Sequence, residues 1–256
     1  MPECAFCPNA AKLSGEHIWS AWMGEVFSHI KRFRFRQRDH EGQVIKEWPS
    51  PYLDMKAKVV CRSCNNGWMS DLERHHAKPA VEDMILGNKE LSISQSRATS
   101  IARFAFKTSV IANHMARTQP SFFPPAIRRE FAKSLAIPQG VQMWLAGFLP
   151  METQGHLFAR WGNQEIDGIG RIEFYVCTFA VGHLVFQVVS GRLHTETRHQ
   201  WGEINFTPMH NFEHLAVPFW PAIQDGIVWP LPNALLTRDD FNSFGERWDS
   251  VNVQAT

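Results

Sequence analysis

Two short stretches of sequence decide the fold of the amino-terminal region: C-A-F-C at residues 4–7 and C-R-S-C at residues 61–64. Each is a Cys-x-x-Cys pair, which can offer two thiolates from one tight turn. Two such pairs complete a tetrahedral zinc site, so we predict structural Zn²⁺ bound by Cys4, Cys7, Cys61 and Cys64. The alternative is two unrelated pairs of buried or redox-active thiols. The long separation of the pairs indicates a functional insertion between them.

Composition and charge exclude several classes of protein. A hydrophobic share of 44% over 256 residues is enough to build a sizeable core, which excludes a largely disordered chain. The 26 Lys and Arg residues nearly cancel the 25 Asp and Glu residues, so any nucleic-acid surface must be local. The first residues lack the basic and apolar regions of a signal peptide, and the cysteine count of five is odd. We therefore expect reduced thiols and a cytoplasmic location.

The longest apolar stretch, residues 172–189, predicts a buried hairpin. Glu173, Gly182 and His183 interrupt it, and its other positions are rich in β-branched and aromatic residues. A membrane-spanning helix would need roughly 20 predominantly apolar residues, which this stretch does not supply. We therefore expect no membrane partner.

Helices are predicted in the middle of the chain and strands in its last 120 or so residues. One helix begins at about Asn66, is interrupted at Pro79 and ends at Gly87. The next begins near Ser94 or Ser96, and its apolar face comprises Ile101, Phe104, Thr108, Ile111 and Met115. Short apolar or alternating runs then predict antiparallel strands at residues 141–148, 157–161, 172–180, 184–189 and 215–220.

Glu16 and His17 follow the first cysteine pair, and Asn65 directly follows the second. With the cysteines, these residues give the order C-x-x-C, acidic-His, C-x-x-C-Asn. In this order the sequence resembles the HNH (ββα-metal) endonucleases, in the branch that carries two C-x-x-C zinc-binding pairs. The matching segments are C-A-F-C, S-G-E-H-I and V-C-R-S-C-N-N-G-W, within residues 1–78. The resemblance therefore covers less than a third of the chain.

The resemblance implies a role for each of these residues. His17 is the implied general base that activates water against a phosphodiester. Glu16, in the place of the family's usual Asp, is an implied ligand of a catalytic divalent cation, Mg²⁺ or another, and Asn65 is an implied second ligand. The family's middle Asn or His has no clear counterpart in residues 54–60.

The predicted fold class is α+β, with a small zinc-stabilised ββα-metal module at residues 1–79. A helical connector is expected at residues 80–139 and a β-rich mixed domain at residues 140–256. No chemistry can be assigned to the carboxyl-terminal region, which could recognise a target, form a homodimer or bind a protein partner.

A basic run, K-R-F-R-F-R-Q-R at residues 31–38, is the densest positive charge in the chain. On a β-strand, alternation places Phe33 and Phe35 on one face and the arginines on the other. We predict that these arginines contact phosphates: Arg32, Arg34, Arg36 and Arg38. The alternative is a solvated edge strand whose charges prevent aggregation.

The expected function is metal-dependent endonuclease action on DNA, which leaves a 5′-phosphate and a 3′-hydroxyl as the resemblance implies. The alternative is a non-catalytic, zinc-stabilised nucleic-acid-binding module. The pairing of Glu16 and His17 with Asn65 favours the enzyme, because a pure binding module does not need that set.

Overall fold

The computed structural model describes residues 3–9, 12–30, 32–38, 43–115, 121–149, 155–166, 170–194, 199–201, 214–221 and 226–246. It has the predicted α+β class, with a four-cysteine cluster near the amino terminus and a larger β-rich region after residue 140. None of the helices in these ranges combines the length and the apolar character that a membrane crossing requires.

An antiparallel strand pair organises the amino-terminal region. The elements up to residue 61 are β1 (Leu13–His17), α1 (Ala21–Val26), β2 (Phe33–Arg38), β3 (Val44–Ser50) and β4 (Lys56–Cys61). Strand β1 pairs with β4, in a register that sets Leu13 opposite Cys61 and His17 opposite Lys56. The intervening β2 and β3 form a separate antiparallel hairpin. The predicted insertion between the cysteine pairs therefore contains α1 and this hairpin.

A helical run over residues 62–86 follows β4 without a loop. It comprises α2 (Arg62–Cys64), π-helical segments at Asn65–Met69 and Leu72–Ala77, and α3 (Lys78–Leu86), with a kink at Gly67, whose φ of −93° and ψ of −118° are not helical. At the predicted interruption the helix changes type, from the π-helical segment that ends at Ala77 to α3, which begins at Lys78. Pro79 lies in the first turn of α3, where its missing N–H is tolerated. Gly87 ends α3 at φ 64°, as predicted from its place after the last apolar residue.

Helix α4 (Gln95–Met115) is the most buried helix in the described part of the chain. Every residue from 101 to 113 except Arg103 is buried, and this stretch contains most of the predicted apolar face. Helix α5 (Pro125–Ser134) follows, and Leu135 ends it in the left-handed conformation. Helix α4 lies against both the helical run and the carboxyl-terminal sheet, so its side chains reach both.

The remaining elements are β5 (Leu91–Ser92), β6 (Val141–Phe148), β7 (Gly155–Ile166), β8 (Gly170–Val181), β9 (Leu184–His194), β10 (His199–Trp201), β11 (Ala216–Trp220), β12 (Val228–Trp229), β13 (Ala234–Leu235) and α6 (Arg238–Glu246). The carboxyl-terminal region is built on one largely antiparallel sheet with the order β11-β6-β9-β8-β7. Strand β10 adds to β9, and β13 adds to β6 in parallel.

The predicted hairpin at residues 172–189 is confirmed as β8 and β9, which turn at Gly182 and His183. Gly182 has φ 54°, and an added Cβ would collide with the carbonyl of Ile85. The backbone N–H of His183 donates to the same carbonyl at 2.9 Å, so this turn packs on the end of α3. Close approach and positive φ together require glycine at residue 182.

One hydrophobic cluster contains residues from all three predicted segments of the chain. Met84, Phe104 and Phe179 are members, and each is fully buried. The indole N–H of Trp19 donates to the carbonyl of Ala180 at 3.1 Å, which links the amino-terminal region directly to β8. The three segments therefore share a core, although the boundaries at residues 79 and 139 remain predictions.

Candidate functional site

The two cysteine pairs converge at one end of the β1–β4 pair. The loop that carries Cys4 and Cys7 lies along β4, where the N–H of Ala5 donates to the carbonyl of Val59 at 2.8 Å. Cys61 ends β4 and Cys64 lies in α2, on the turn that follows. All four sulfur atoms lie within 4.8 Å of one another. The fold therefore brings the four predicted ligands together in one cluster.

The spacing of the sulfur atoms fits a tetrahedral zinc ion. Four sulfurs at the usual Zn–S distance would lie roughly 3.8 Å apart, and Cys7 Sγ lies 3.6 Å from Cys61 Sγ. This separation is too long for a disulfide bond, and all five cysteines are free. The backbone N–H groups of Phe6 and Cys61 donate to Cys4 Sγ at 3.5 and 3.2 Å, which fixes the position of this sulfur.

Cys61 has the lowered pKa in this cluster. Burial by itself would raise the pKa of Cys61, but hydrogen bonds, led by that from the Ser63 hydroxyl at 3.1 Å, lower it to about 6. Burial raises the pKa values of Cys7 and Cys64. Four thiols packed this closely cannot all be anionic without a cation, so the cluster has the donor set and the charge requirement of a zinc site.

His17 lies at the end of β1 and is paired with a carboxylate. Its Nε2 lies 3.1 Å from Asp54 Oδ1, and its side chain is 28% exposed. Lys56 Nζ lies 3.0 Å from the same carboxylate oxygen. Burial, and next the positive charge of Lys56, lower the pKa of His17, while Asp54 acts in the opposite direction. The imidazole is therefore neutral near pH 7, oriented by Asp54 and open to solvent on one side.

Glu16 is turned into the protein and makes a buried ion pair. Lys107 of α4 donates from Nζ to Glu16 Oε1 at 2.9 Å and to Glu73 Oε1 at 2.6 Å. The Lys107 side chain is fully buried, and those of Glu16 and Glu73 are 4% and 16% exposed. Burial raises the pKa of Glu16, and the Lys107 ammonium counteracts that rise. These three side chains, Glu16, Lys107 and Glu73, are called the buried triad below.

Asn65 is engaged with the backbone of β1. Its Nδ2 donates to the Gly15 carbonyl and to Ser14 Oγ, both at 3.1 Å, so it ties the start of the helical run to the strand. Among the described residues, the only group of three or more Cys, His, Asp or Glu side chains close enough to share a metal ion is the four cysteines. The predicted cation ligands Glu16 and Asn65 thus have other partners, and their metal role remains a prediction.

The basic strand has the predicted alternation where its side chains are described. Phe35 is buried and its ring is stacked on Trp48 at 5.4 Å, whereas Arg34 is exposed and its Nη1 lies 3.3 Å from Glu47 Oε1. Arg32 is exposed just before β2. Arg36 and Arg38 lie on β2 opposite Glu47 and Val44, with a register shift before Arg38.

Sequence reasoning missed three residues around the predicted base. Asp54 lies within residues 54–60, where the resemblance leads one to expect an Asn or a His. Its position two residues before Lys56, which pairs with His17, could have identified it. Lys107 could also have been identified from the sequence, because it places a cation at helical spacing from Phe104 and Ile111 on an otherwise apolar helix face. Glu73 had no comparable signal.

The elements around the site form a β-β-helix arrangement. Strands β1 and β4 lie side by side, the helical run begins at the last residue of β4, and the cysteine cluster lies where they meet. His17 is at the opposite end of β1 from this cluster. Comparisons of the chain with protein-family models, with curated proteins and with solved structures give no match.

Proposed function

We propose that this chain is an endonuclease that hydrolyses DNA phosphodiester bonds with His17 as the general base. The observation that carries the proposal is the pairing of His17 with Asp54 at the end of β1. Strand β1 belongs to a β-β-helix arrangement that also contains the four-cysteine cluster. This arrangement agrees with the resemblance to HNH endonucleases. A zinc ion bound by the cysteines would hold the strand pair and the helical run together.

His17 and Asp54 supply the proton transfer. In this mechanism the neutral imidazole carries its proton on Nε2, which lies 3.1 Å from Asp54 Oδ1, and Nδ1 takes a proton from the attacking water. The water oxygen forms a bond to phosphorus, the bond from phosphorus to the 3′ oxygen breaks, and the 3′ oxygen leaves with that electron pair and takes a proton from solvent. The products are a 5′-phosphate and a 3′-hydroxyl. A pKa below that of ordinary imidazole, caused chiefly by burial, keeps His17 in the neutral form that this step needs.

Hairpin β2–β3 supplies the proposed contact with the phosphate backbone. Arg32 and Arg34 are exposed, and the Phe35–Trp48 stack anchors the strand that carries Arg34 and Arg36. Cationic side chains on one strand bind the phosphates of a nucleic acid without reading its sequence. The near-neutral charge of the whole chain makes such a local surface necessary.

The resemblance implies Mg²⁺ or another divalent cation, which would stabilise charge on the phosphate and on the leaving oxygen. The described arrangement does not fit such an ion at Glu16 and Asn65, because Glu16 is buried against Lys107 and Asn65 donates to β1. No step of the proposed mechanism therefore passes through that cation, and the proton transfer by His17 does not require it.

A non-catalytic, zinc-stabilised nucleic-acid-binding module is the second candidate. The burial of Glu16 favours it, because a binding module has no need of an accessible acidic ligand. The exposed face of His17 and its pairing with Asp54 favour the enzyme, since a binding module gains nothing from an oriented neutral imidazole.

The test is cleavage of supercoiled plasmid, linear duplex, branched and single-stranded DNA, and RNA, with and without added Mg²⁺ or Mn²⁺. We expect the wild-type chain to cut DNA and His17→Ala to lose about 10²–10⁴-fold in rate. His29→Ala, which removes an exposed histidine on another element, should cut like the wild type. Failure of the wild-type chain to cut any substrate, together with salt-dependent DNA binding, would favour the binding module instead.

A further inference from the structure

The buried triad has an unusual charge balance for a protein interior. Two carboxylates and one ammonium leave a net charge of −1 when all three groups are ionised. Lys107 Nζ lies 2.9 Å from one carboxylate oxygen and 2.6 Å from the other, and it also lies 5.2 Å from the centre of the Phe104 ring. Buried charges are tolerated when they are paired and hydrogen-bonded, and Lys107 supplies both conditions to both carboxylates.

The ammonium lies in the space from which a metal ion could bind both Glu16 and Glu73. A divalent cation bridging Glu16 and Glu73 would require oxygen atoms from both carboxylates about 2.0–2.6 Å from a common point. Lys107 Nζ already lies between the same two carboxylates, at charge-assisted hydrogen-bond distances. A metal ion and this ammonium cannot share the space, and like charges so close together would repel strongly.

The position of Lys107 in the chain makes its ammonium a fixed part of the site. Helix α4 is buried over nearly its whole middle, and the Lys107 side chain on it has no exposed surface. Burial by itself would lower the pKa of Lys107, but Glu16 and Glu73 raise it above its ordinary value. The group therefore stays charged and in place.

We propose that Lys107 is a resident cation that occupies the binding position between Glu16 and Glu73, in place of the divalent cation that the resemblance assigns to Glu16. Glu16 then acts as a buried partner that fixes the end of β1, next to His17, to helix α4. Lys107 and Glu73 are positioning residues in this account. A second consequence is that the amino-terminal region depends on residue 107, outside the predicted module 1–79, for the charge balance of its own interior.

The experiment is a titration of the zinc-loaded full chain with Mn²⁺, followed by electron paramagnetic resonance of the free ion and by thermal unfolding. The variants are Glu16→Gln, Lys107→Gln and the charge-matched pair Lys107→Gln/Glu73→Gln. The pair keeps the net charge of the triad at −1, so it separates the loss of the ammonium from the gain of negative charge. Zinc content is measured in every sample, so that exchange at the cysteines is not counted as Mn²⁺ binding.

We expect Lys107→Gln to bind one Mn²⁺ at least about tenfold more tightly than the wild type, because removal of the ammonium leaves two carboxylates facing one space. Mn²⁺ should raise the unfolding temperature of Lys107→Gln and leave that of the wild type and the paired variant unchanged. Because Mn²⁺ binding is read without cleavage, this outcome is independent of whether the chain proves to be a nuclease.

Two outcomes would overturn the proposal. In the first, the wild type binds Mn²⁺ and Glu16→Gln abolishes that binding, which would make Glu16 a metal ligand in the presence of Lys107, whatever Lys107→Gln does. In the second, Lys107→Gln shows neither tighter Mn²⁺ binding nor Mn²⁺-dependent stabilisation, which would mean that the carboxylates do not form a cation position at all.

Discussion

The four-cysteine cluster and the buried triad are two charge centres of the same small region, and they solve the same electrostatic problem in different ways. The cluster gathers four sulfur donors within 4.8 Å of one another, so four thiolates there would need a metal ion to balance their charge. The triad gathers two carboxylates and balances them with Lys107. A site made only of metal-ligand atoms therefore indicates that a metal ion binds there. A site that includes a buried ammonium already contains its cation.

The largest expected effect in this comparison comes from breaking the cysteine cluster. Cys64→Ser should lose bound zinc and leave the amino-terminal region unfolded, because the binding energy of a structural zinc, roughly 10–16 kcal/mol in small domains, is folding energy. Zinc per chain and far-ultraviolet circular dichroism measure the two effects. Cys177→Ala is the matched control, since Cys177 is a buried free cysteine in β8, outside the cluster, and its loss should leave the zinc content at one.

Breaking the triad should cost less. Lys107→Met leaves Glu16 and Glu73 without their cation, and removal of one partner from a buried ion pair costs about 3–5 kcal/mol. Urea unfolding measures the loss. The control is Lys89→Met, which breaks an exposed pair with Asp83 and should change stability by about 0–1 kcal/mol. Equal losses of unfolding free energy in the two variants would show that the buried triad stabilises the protein no more than an exposed ion pair does.

The basic strand offers a smaller effect that tests the function and not the fold. Arg34→Ala with Arg36→Ala should weaken DNA binding and reduce the slope of log affinity against log salt by about 0.9 for each phosphate that the variant no longer neutralises. The comparison is Lys133→Ala, which removes an exposed cation from α5, far from β2 in sequence. A slope that stays at the wild-type value in the double variant would mean that this strand is only a solvated edge.

The smallest effect concerns the pH response of His17. Lys56→Gln should raise the pKa of His17, because burial and then the Lys56 charge are what lower it. Asp54→Asn should lower the pKa further, because Asp54 favours the protonated imidazole. Nuclear magnetic resonance titration of the imidazole measures both shifts, and the acid limb of the cleavage rate should move in the same directions. Lys58→Gln, an exposed change on the same strand, should move neither.

Much of the fold could be predicted from local pattern. The apolar spacing of Ile101 and Ile111 identified α4, the glycine at residue 87 marked the end of α3, and the interruption at Gly182 marked the β8–β9 turn. These features are determined by nearby residues, so the sequence displays them directly. Strand β7 was predicted too short, because residues 162–165 (Gly-Asn-Gln-Glu) show no apolar alternation and gain their strand geometry from pairing with β8.

The site could be predicted only where its members have a recognisable spacing. The cysteine pairs have one, and the structure brings them together. The partners of Glu16 and His17 do not, since Lys107 is 91 residues from Glu16 and reaches it through the packing of α4. Asp54 reaches His17 through the β1–β4 register. Contacts that depend on tertiary packing leave only indirect traces, such as a lysine on an apolar helix face.

Native mass spectrometry of the wild-type chain, recorded with excess Zn²⁺ and then with excess Mg²⁺ or Mn²⁺, tests the comparison of the two charge centres most directly. We predict one zinc ion per chain in every condition, lost in Cys64→Ser, and no further divalent ion retained at the triad. A chain that holds no zinc and has its cysteines oxidised would contradict the cluster. A wild-type chain that retains a second divalent ion, and loses it in Glu16→Gln, would contradict the resident cation.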